Sequence, residues 1–181
     1  MKAVFLDRDG VINRKVPDGE YISTWEAMQF CPGVFAAALS LQEAGFKLIV
    51  VTNQRGVALQ RVRLEDLADI NSRMKECFAG HGVELTGIYS CPHDIAENCS
   101  CRKPKPGLLF QAAKDHSLNM SSSWMVGDAA SDVAAGKAAG CKTARILRLS
   151  SSQEGDLKAD ITVRDLPAAA RQILKTIRPR Q

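Results

Sequence analysis

Ala3-Val4-Phe5-Leu6-Asp7-Arg8-Asp9-Gly10 is the stretch whose reading decides the fold. Four apolar residues run without alternation, which is how a strand reads when both of its faces are buried, as in a parallel sheet covered by helices on each side. Two carboxylates then stand two positions apart. The glycine after them lets the backbone turn away sharply, so that both side chains can face one metal and one phosphate. Taken alone, Asp-x-Asp-Gly is equally readable as an Asx-type turn closing a strand. Its companions along the chain break the tie.

Working outward, further apolar strand-like runs cover Lys47 to Thr52, Ile88 to Ser90, Trp124 to Gly127 and Thr143 to Leu147, with Ile161 to Val163 as a sixth. Helical patterns lie between and after them: Val34 to Ala44 behind Pro32-Gly33, Leu64 to Ala79, Leu108 to Asp115, Asp132 to Ala139, and Leu166 to Ile177. This alternation predicts an α/β fold, a doubly wound and mainly parallel sheet built from βαβ units. The 181 residues, 45% of them apolar, suit one domain spanning 1–181. Nothing between the motifs is long enough for a separate cap domain.

Polar chemistry falls where strands end: Asp7-Arg8-Asp9 after the first, Thr52-Asn53-Gln54 at the second, Gly127-Asp128 at the fourth. In open parallel sheets ligands bind beyond these ends. A carboxylate attacking phosphorus divides hydrolysis into two easier displacements, and Mg²⁺ relieves the repulsion between the two anions. Asp7 is the expected nucleophile and Asp9 the acid/base, both beside the metal, with Asp128 as a further Mg²⁺ ligand. Asp132 is expected behind these groups, capping the next helix or orienting Lys103. Thr52, with Asn53, Gln54 and Arg55 after it, offers donors for phosphate oxygens. Lys103, stiffened by Pro104 and Pro106, can aim its charge at the phosphoryl group. Separately, the threonine is readable as a polar strand exit and the lysine as a solvated basic turn.

Cys91-Pro92-His93 and Cys99-Ser100-Cys101 supply four soft or borderline ligands as two close pairs. Four protein ligands close a tetrahedron, which predicts a structural Zn²⁺ in a loop over 91–101, against the plainer reading of free thiols. Such a loop would hold Arg102 and Lys103 toward the site. Arg102, next to a zinc ligand, is expected to grip a second phosphate of the substrate. Cys31, Cys77 and Cys141 read as buried small hydrophobes.

Together these residues resemble the haloacid dehalogenase superfamily, through its four motifs in order: Asp7-Arg8-Asp9-Gly10-Val11, Thr52-Asn53, Lys103, and Gly127-Asp128 with Asp132. The resemblance implies a Rossmann-like core and a phosphatase working through an aspartyl-phosphate. The zinc loop running into Cys-Arg-Lys-Pro is similar to the branch that holds the D-glycero-D-manno-heptose-1,7-bisphosphate 7-phosphatases and the histidinol-phosphate phosphatases, the longer string being most similar to the former. It departs from the heptose enzymes at Ala129 and Arg55, where they often carry Lys and Ser. By resemblance, Asp18 and Tyr21 would touch the sugar. Histidinol phosphate or another small phosphomonoester is the competing substrate, and a zinc-stabilised binding module the competing class.

Composition narrows the partners. Lys+Arg exceed Asp+Glu by four, partly through Lys175, Arg178 and Arg180, with no basic stripe interleaved with aromatics to suit nucleic acid. No apolar run nears the roughly 20 residues that cross a bilayer. With no signal peptide and a metal-like cysteine cluster, the chain is expected to act in the cytoplasm as a monomer on a small phosphorylated sugar.

Overall fold

The computed structural model describes residues 1–17, 19–147 and 158–177. Six strands, β1 (Lys2–Leu6), β2 (Phe46–Asn53), β3 (Leu85–Cys91), β4 (Trp124–Gly127), β5 (Lys142–Ile146) and β6 (Ile161–Val163), form one sheet in the order β3-β2-β1-β4-β5-β6. Every pairing is parallel. The helices are α1 (Val34–Glu43), α2 (Leu64–Gly80), α3 (Gly107–Asp115), α4 (Ala130–Ala138) and α5 (Leu166–Ile177). This is the doubly wound α/β architecture expected from the alternation of runs.

The unbroken apolar strands are explained by two cores. Val4 and Leu6 of β1, Leu48 and Val50 of β2, and Trp124 and Val126 of β4 face one core with α1, α2 and α5. Their neighbours Ala3, Phe5, Ile49, Val51 and Met125 face the other with α3 and α4. Alternate side chains of a strand point to opposite faces, so covering both faces demands an apolar residue at every position. The helices bury single stripes, such as Leu166, Ala169, Ala170 and Ile173 of α5 at helical spacing.

Two elements differ from their sequence reading. β3 begins at Leu85 rather than Ile88, because pairing with β2 from Leu48↔Leu85 onward carries the strand through Thr86 and Gly87, a local break in propensity. Its last residue is therefore Cys91, paired with Asn53, so the first cysteine of the cluster sits on the sheet. α4 begins at Ala130, and Asp132 caps it from within the first turn by accepting the Ala129 N–H at 3.0 Å. Of the other cysteines, Cys141 is buried as expected, whereas Cys31 and Cys77 are only half-buried. Arg178 and Arg180 lie outside the described residues. Among those described, no helix is long and apolar enough to cross a membrane.

The strand order reverses direction at β1, which lies between β2 and β4. A crevice opens beyond the carboxyl ends of strands at such a reversal.

Candidate active site

Asp7 is the first residue beyond β1, and its N–H still donates to Val126 O of β4 at 2.9 Å, so its backbone is held by the sheet. Two glycines let other carboxylates close on it. Gly10 has φ +93°, and a Cβ there would stand 2.3 Å from Asp128 Oδ2. At Gly127 a Cβ would meet the Asp132 side chain at 2.2 Å. With no side chain at either position, carboxylate oxygens of Asp7, Asp128 and Asp132 lie within 4.8 Å of one another. Lys103 Nζ is buried among them, 2.8 Å from Asp7 Oδ1 and 2.6 Å from Asp132 Oδ1, and donates to Val51 O at 2.8 Å. Asp132 thus both caps α4 and holds Lys103, as expected. A cleft of about 300 Å³ lies over these groups.

Burial pushes the Asp7 carboxyl up to about 7; Lys103 opposes this, while Asp132 and Asp9 add to it. For Lys103 burial acts against the charge, but Asp132 and Asp7 outweigh it and raise its pKa above the ordinary lysine value. Three carboxylates face two ammonium groups, Lys103 between Asp7 and Asp132 and Lys15 at 3.6 Å from Asp128, so that one negative charge is in excess when all three are ionised. The hard oxygen donors and the excess of negative charge fit a divalent cation such as Mg²⁺.

Asp9 lines the same cleft. Its carboxylate is outside the cluster of three and accepts from Asn13 Nδ2 at 2.9 Å, Gln54 Nε2 at 2.8 Å and the Arg8 guanidinium at 3.1–3.3 Å. Both Asp9 oxygens are thus engaged by protein donors, and they are not among the three carboxylates that lie within 4.8 Å of one another. Gln54, expected at the substrate, is buried and bonded to Asp9, to Thr52 Oγ1 at 2.9 Å and to Arg8. Asn53 is likewise committed, clamping the Lys103 backbone through two 3.1 Å bonds, one to its N–H and one to its C=O. Arg55 pairs with Asp94 at 2.6 Å. All three residues also line the cleft. Thr52, Tyr21 and Arg102 line the cleft, the tyrosine ring packing so closely on Gly56 that a Cβ there would be 2.8 Å from it. Asp18 lies outside the described residues.

Sequence reasoning missed Arg8 and Lys15. The lysine reaches to 3.6 Å from Asp128 Oδ2, and no spacing pointed to it. Arg8 had a signal: alternate positions counted on from Val4 and Leu6 arrive at it, and it is as buried as they are.

Beside the cleft, Cys91, His93, Cys99 and Cys101 converge. Cys91 Sγ is 3.6 Å from both Cys99 Sγ and His93 Nδ1, and Cys101 Sγ lies 3.2–3.4 Å from the other three ligand atoms. A tetrahedron of sulfurs about 2.3 Å from its centre has edges of about 3.8 Å, so the donors stand close to the spacing of a closed Zn²⁺ site. Burial first, then the neighbouring thiols, push Cys101 up to about 12, a penalty that a bound cation would reverse. The loop is tied to the active site at several points. Gln54 N donates to Cys91 O at 2.7 Å, Arg102 Nη1 to His93 O at 3.4 Å, and Ser100 O packs where a Cβ on Gly107 would stand.

The comparisons agree with this geometry. A HAD-hydrolase-like family model matches residues 100–170. The D-glycero-beta-D-manno-heptose-1,7-bisphosphate 7-phosphatase of Vibrio cholerae is 40% identical, over 91% of this chain and 94% of that protein. The enzyme of that name from Helicobacter pylori is 43% identical over 75% and 77%. Among solved structures, the D,D-heptose 1,7-bisphosphate phosphatase of B. bronchiseptica, complexed with magnesium and phosphate, superposes with a TM-score of 0.87 at 28% identity, covering 97% of this chain and 99% of that one. Fold and site together define a phosphatase of the HAD-hydrolase-like class. Within that class, the chain belongs to the family of D-glycero-beta-D-manno-heptose-1,7-bisphosphate 7-phosphatases.

Proposed function

We propose that this protein removes the 7-phosphate of D-glycero-D-manno-heptose 1,7-bisphosphate through an aspartyl-phosphate on Asp7. The observation that carries the mechanism is the close set of Asp7, Asp128 and Asp132 at the ends of β1 and β4, with Lys103 between Asp7 and Asp132. The substrate assignment draws on the relatives' names and on the cations at the cleft. Asp7 and Asp128, with Asp132 beside them, would hold Mg²⁺, which supplies charge neutralisation for two anions brought together. Cys91, His93, Cys99 and Cys101 would hold a structural Zn²⁺.

In the first step an Asp7 oxygen attacks phosphorus and the P–O ester bond breaks. Its electron pair leaves with the sugar oxygen, which takes a proton from Asp9. In the second, water attacks the same phosphorus, Asp9 takes the water's proton, and the P–O bond to Asp7 breaks with its pair returning to the carboxylate. Lys103 and the Thr52 hydroxyl steady the phosphoryl oxygens, and Asp132 keeps Lys103 charged and in place. One domain is sufficient for this chemistry, with the zinc loop serving as a rigid wall. A heptose phosphatase of this kind would serve precursor synthesis for lipopolysaccharide in the cytoplasm, acting as a monomer.

The test is a steady-state comparison of substrates. Heptose 1,7-bisphosphate should show a kcat/KM well above that of histidinol phosphate, and a preference for histidinol phosphate would overturn the assignment. Arg102 provides a second check. Its guanidinium lines the cleft, and a charge-assisted contact with the non-reacting phosphate is worth about 1.5–3 kcal/mol, or roughly one to two powers of ten. Arg102→Ala should lower kcat/KM for the bisphosphate by that factor and for p-nitrophenyl phosphate far less. Equal losses would place Arg102 at the reacting phosphate.

A further inference from the structure

Arg8 heads the large side chains that are fully buried, at 1% exposure. A guanidinium taken out of water is costly and needs partners that answer its charge. Its ion pair is with Asp9, whose side chain is 26% exposed at the cleft. A surface carboxylate is thus backed from inside by a buried cation. Nη2 of Arg8 lies 3.2 and 3.1 Å from the two Asp9 oxygens and donates to Gln54 Oε1 at 3.0 Å, while Nε stands 3.3 Å from Asp9 Oδ1. Gln54 closes the ring by donating to Asp9 Oδ2 at 2.8 Å, and the same amide reaches Thr52 Oγ1 at 2.9 Å. Asn13 holds the other Asp9 oxygen at 2.9 Å.

We infer that Arg8 is a positioning residue for the Asp9 carboxylate, fixing its plane through a fork shared with Gln54 and so tying it to Thr52. The inference rests on Asp9 being the acid/base of the proposed reaction. Arg8 stands behind the carboxylate and acts through it. A fork of two N–H groups sets an orientation that a point charge cannot, so lysine should be a poor replacement. Misplacing an acid/base by about 1 Å can cost on the order of 10²-fold.

The test uses the Mg²⁺-loaded enzyme with Arg8→Lys and Arg8→Met, the lysine variant keeping the charge should the methionine variant not fold. kcat/KM covers the steps up to departure of the leaving group. A heptose alkoxide needs the proton from Asp9 to leave, whereas p-nitrophenolate leaves without it. Both variants should therefore lose roughly 10–10²-fold in kcat/KM for the bisphosphate and at least tenfold less for p-nitrophenyl phosphate. With the aryl ester they should also give a burst of p-nitrophenol and accumulate aspartyl-phosphate, because the second step lacks a well-placed base. Equal losses on both esters with no accumulation, as a merely structural role would produce, overturn the inference, as does unchanged kinetics in both variants. Asp9→Asn separates the two readings. It should show the same discrimination with a larger loss, roughly 10²–10⁴-fold. If it leaves both esters unchanged, the acid/base assignment itself is wrong, whatever Arg8 does.

Discussion

Asp7→Asn should release no measurable phosphate from any ester, a loss of at least about 10⁴-fold, because an amide oxygen is a poor nucleophile and the change also removes a cation ligand. The protein should nevertheless fold. Asp7 occupies a buried position where its charge is opposed, its pKa standing at about 7 against an ordinary value near 3.8. A carboxyl with a raised folded pKa contributes stability that is full below the unfolded value and is lost as pH rises through the folded one. In metal-free protein the parent should therefore lose stability between about pH 4 and pH 7, and Asp7→Asn should lose less over that window. Phosphate release, and thermal melts of both proteins in chelator at pH 5 and pH 8, read the two halves of the prediction. Turnover within tenfold of the parent would sink the nucleophile assignment. A phosphoryl mimic such as beryllium trifluoride should bind at Asp7 in the parent and not in the variant.

Breaking the cysteine and histidine cluster should have the largest effect on stability. Structural zinc contributes an apparent 10–16 kcal/mol to small zinc-dependent folds, and losing one of four ligands should forfeit several kcal/mol of whatever share applies here. At about 2–4 °C per kcal/mol for a chain of this size, Cys99→Ser should melt on the order of 10 °C lower. Activity should fall as well, since Arg102 is bonded to His93 O and Gln54 to Cys91 O, so a loosened loop disturbs the cleft. Elemental analysis of protein purified without added metal should find zinc near one equivalent in the parent and markedly less in the variant. Full stability and activity after zinc removal would refute a structural role. Turnover should still require added Mg²⁺, because oxygen and sulfur sites select different cations.

Asn53 and Gln54 show where reading residue types stops. As amides after a strand they suggested donors for a phosphate, and both line the cleft. Yet each spends its side chain on other protein groups, Asn53 on the Lys103 backbone and Gln54 on Asp9, Thr52 and Arg8. The residues they hold are 45 to 50 positions away in sequence or set by loop geometry, and a local pattern carries no information about such pairs. Arg55 illustrates the same limit, since its partner Asp94 belongs to the zinc loop 39 residues on.

The unbroken apolar run before Asp7, the repeated strand and helix periods, and the glycines at 10 and 127 sufficed by themselves to define a parallel sheet with chemistry at its strand ends. These features are local, because burial on two faces, a left-handed φ and a close carboxylate approach each constrain the residue type at one position. The strand-end carboxylates Asp7, Asp128 and Asp132 and the cluster of Cys91, His93, Cys99 and Cys101 were legible for the same reason, as few side chains offer such donors. Tertiary structure alone decided that Lys103 lies between Asp7 and Asp132, that the Asp9 carboxylate is held by Asn13 and Gln54, and that a buried arginine stands behind it. Those outcomes depend on distances between segments brought together by strand order, and the energy of a buried charge is set by the partners that surround it, which no single stretch of chain specifies.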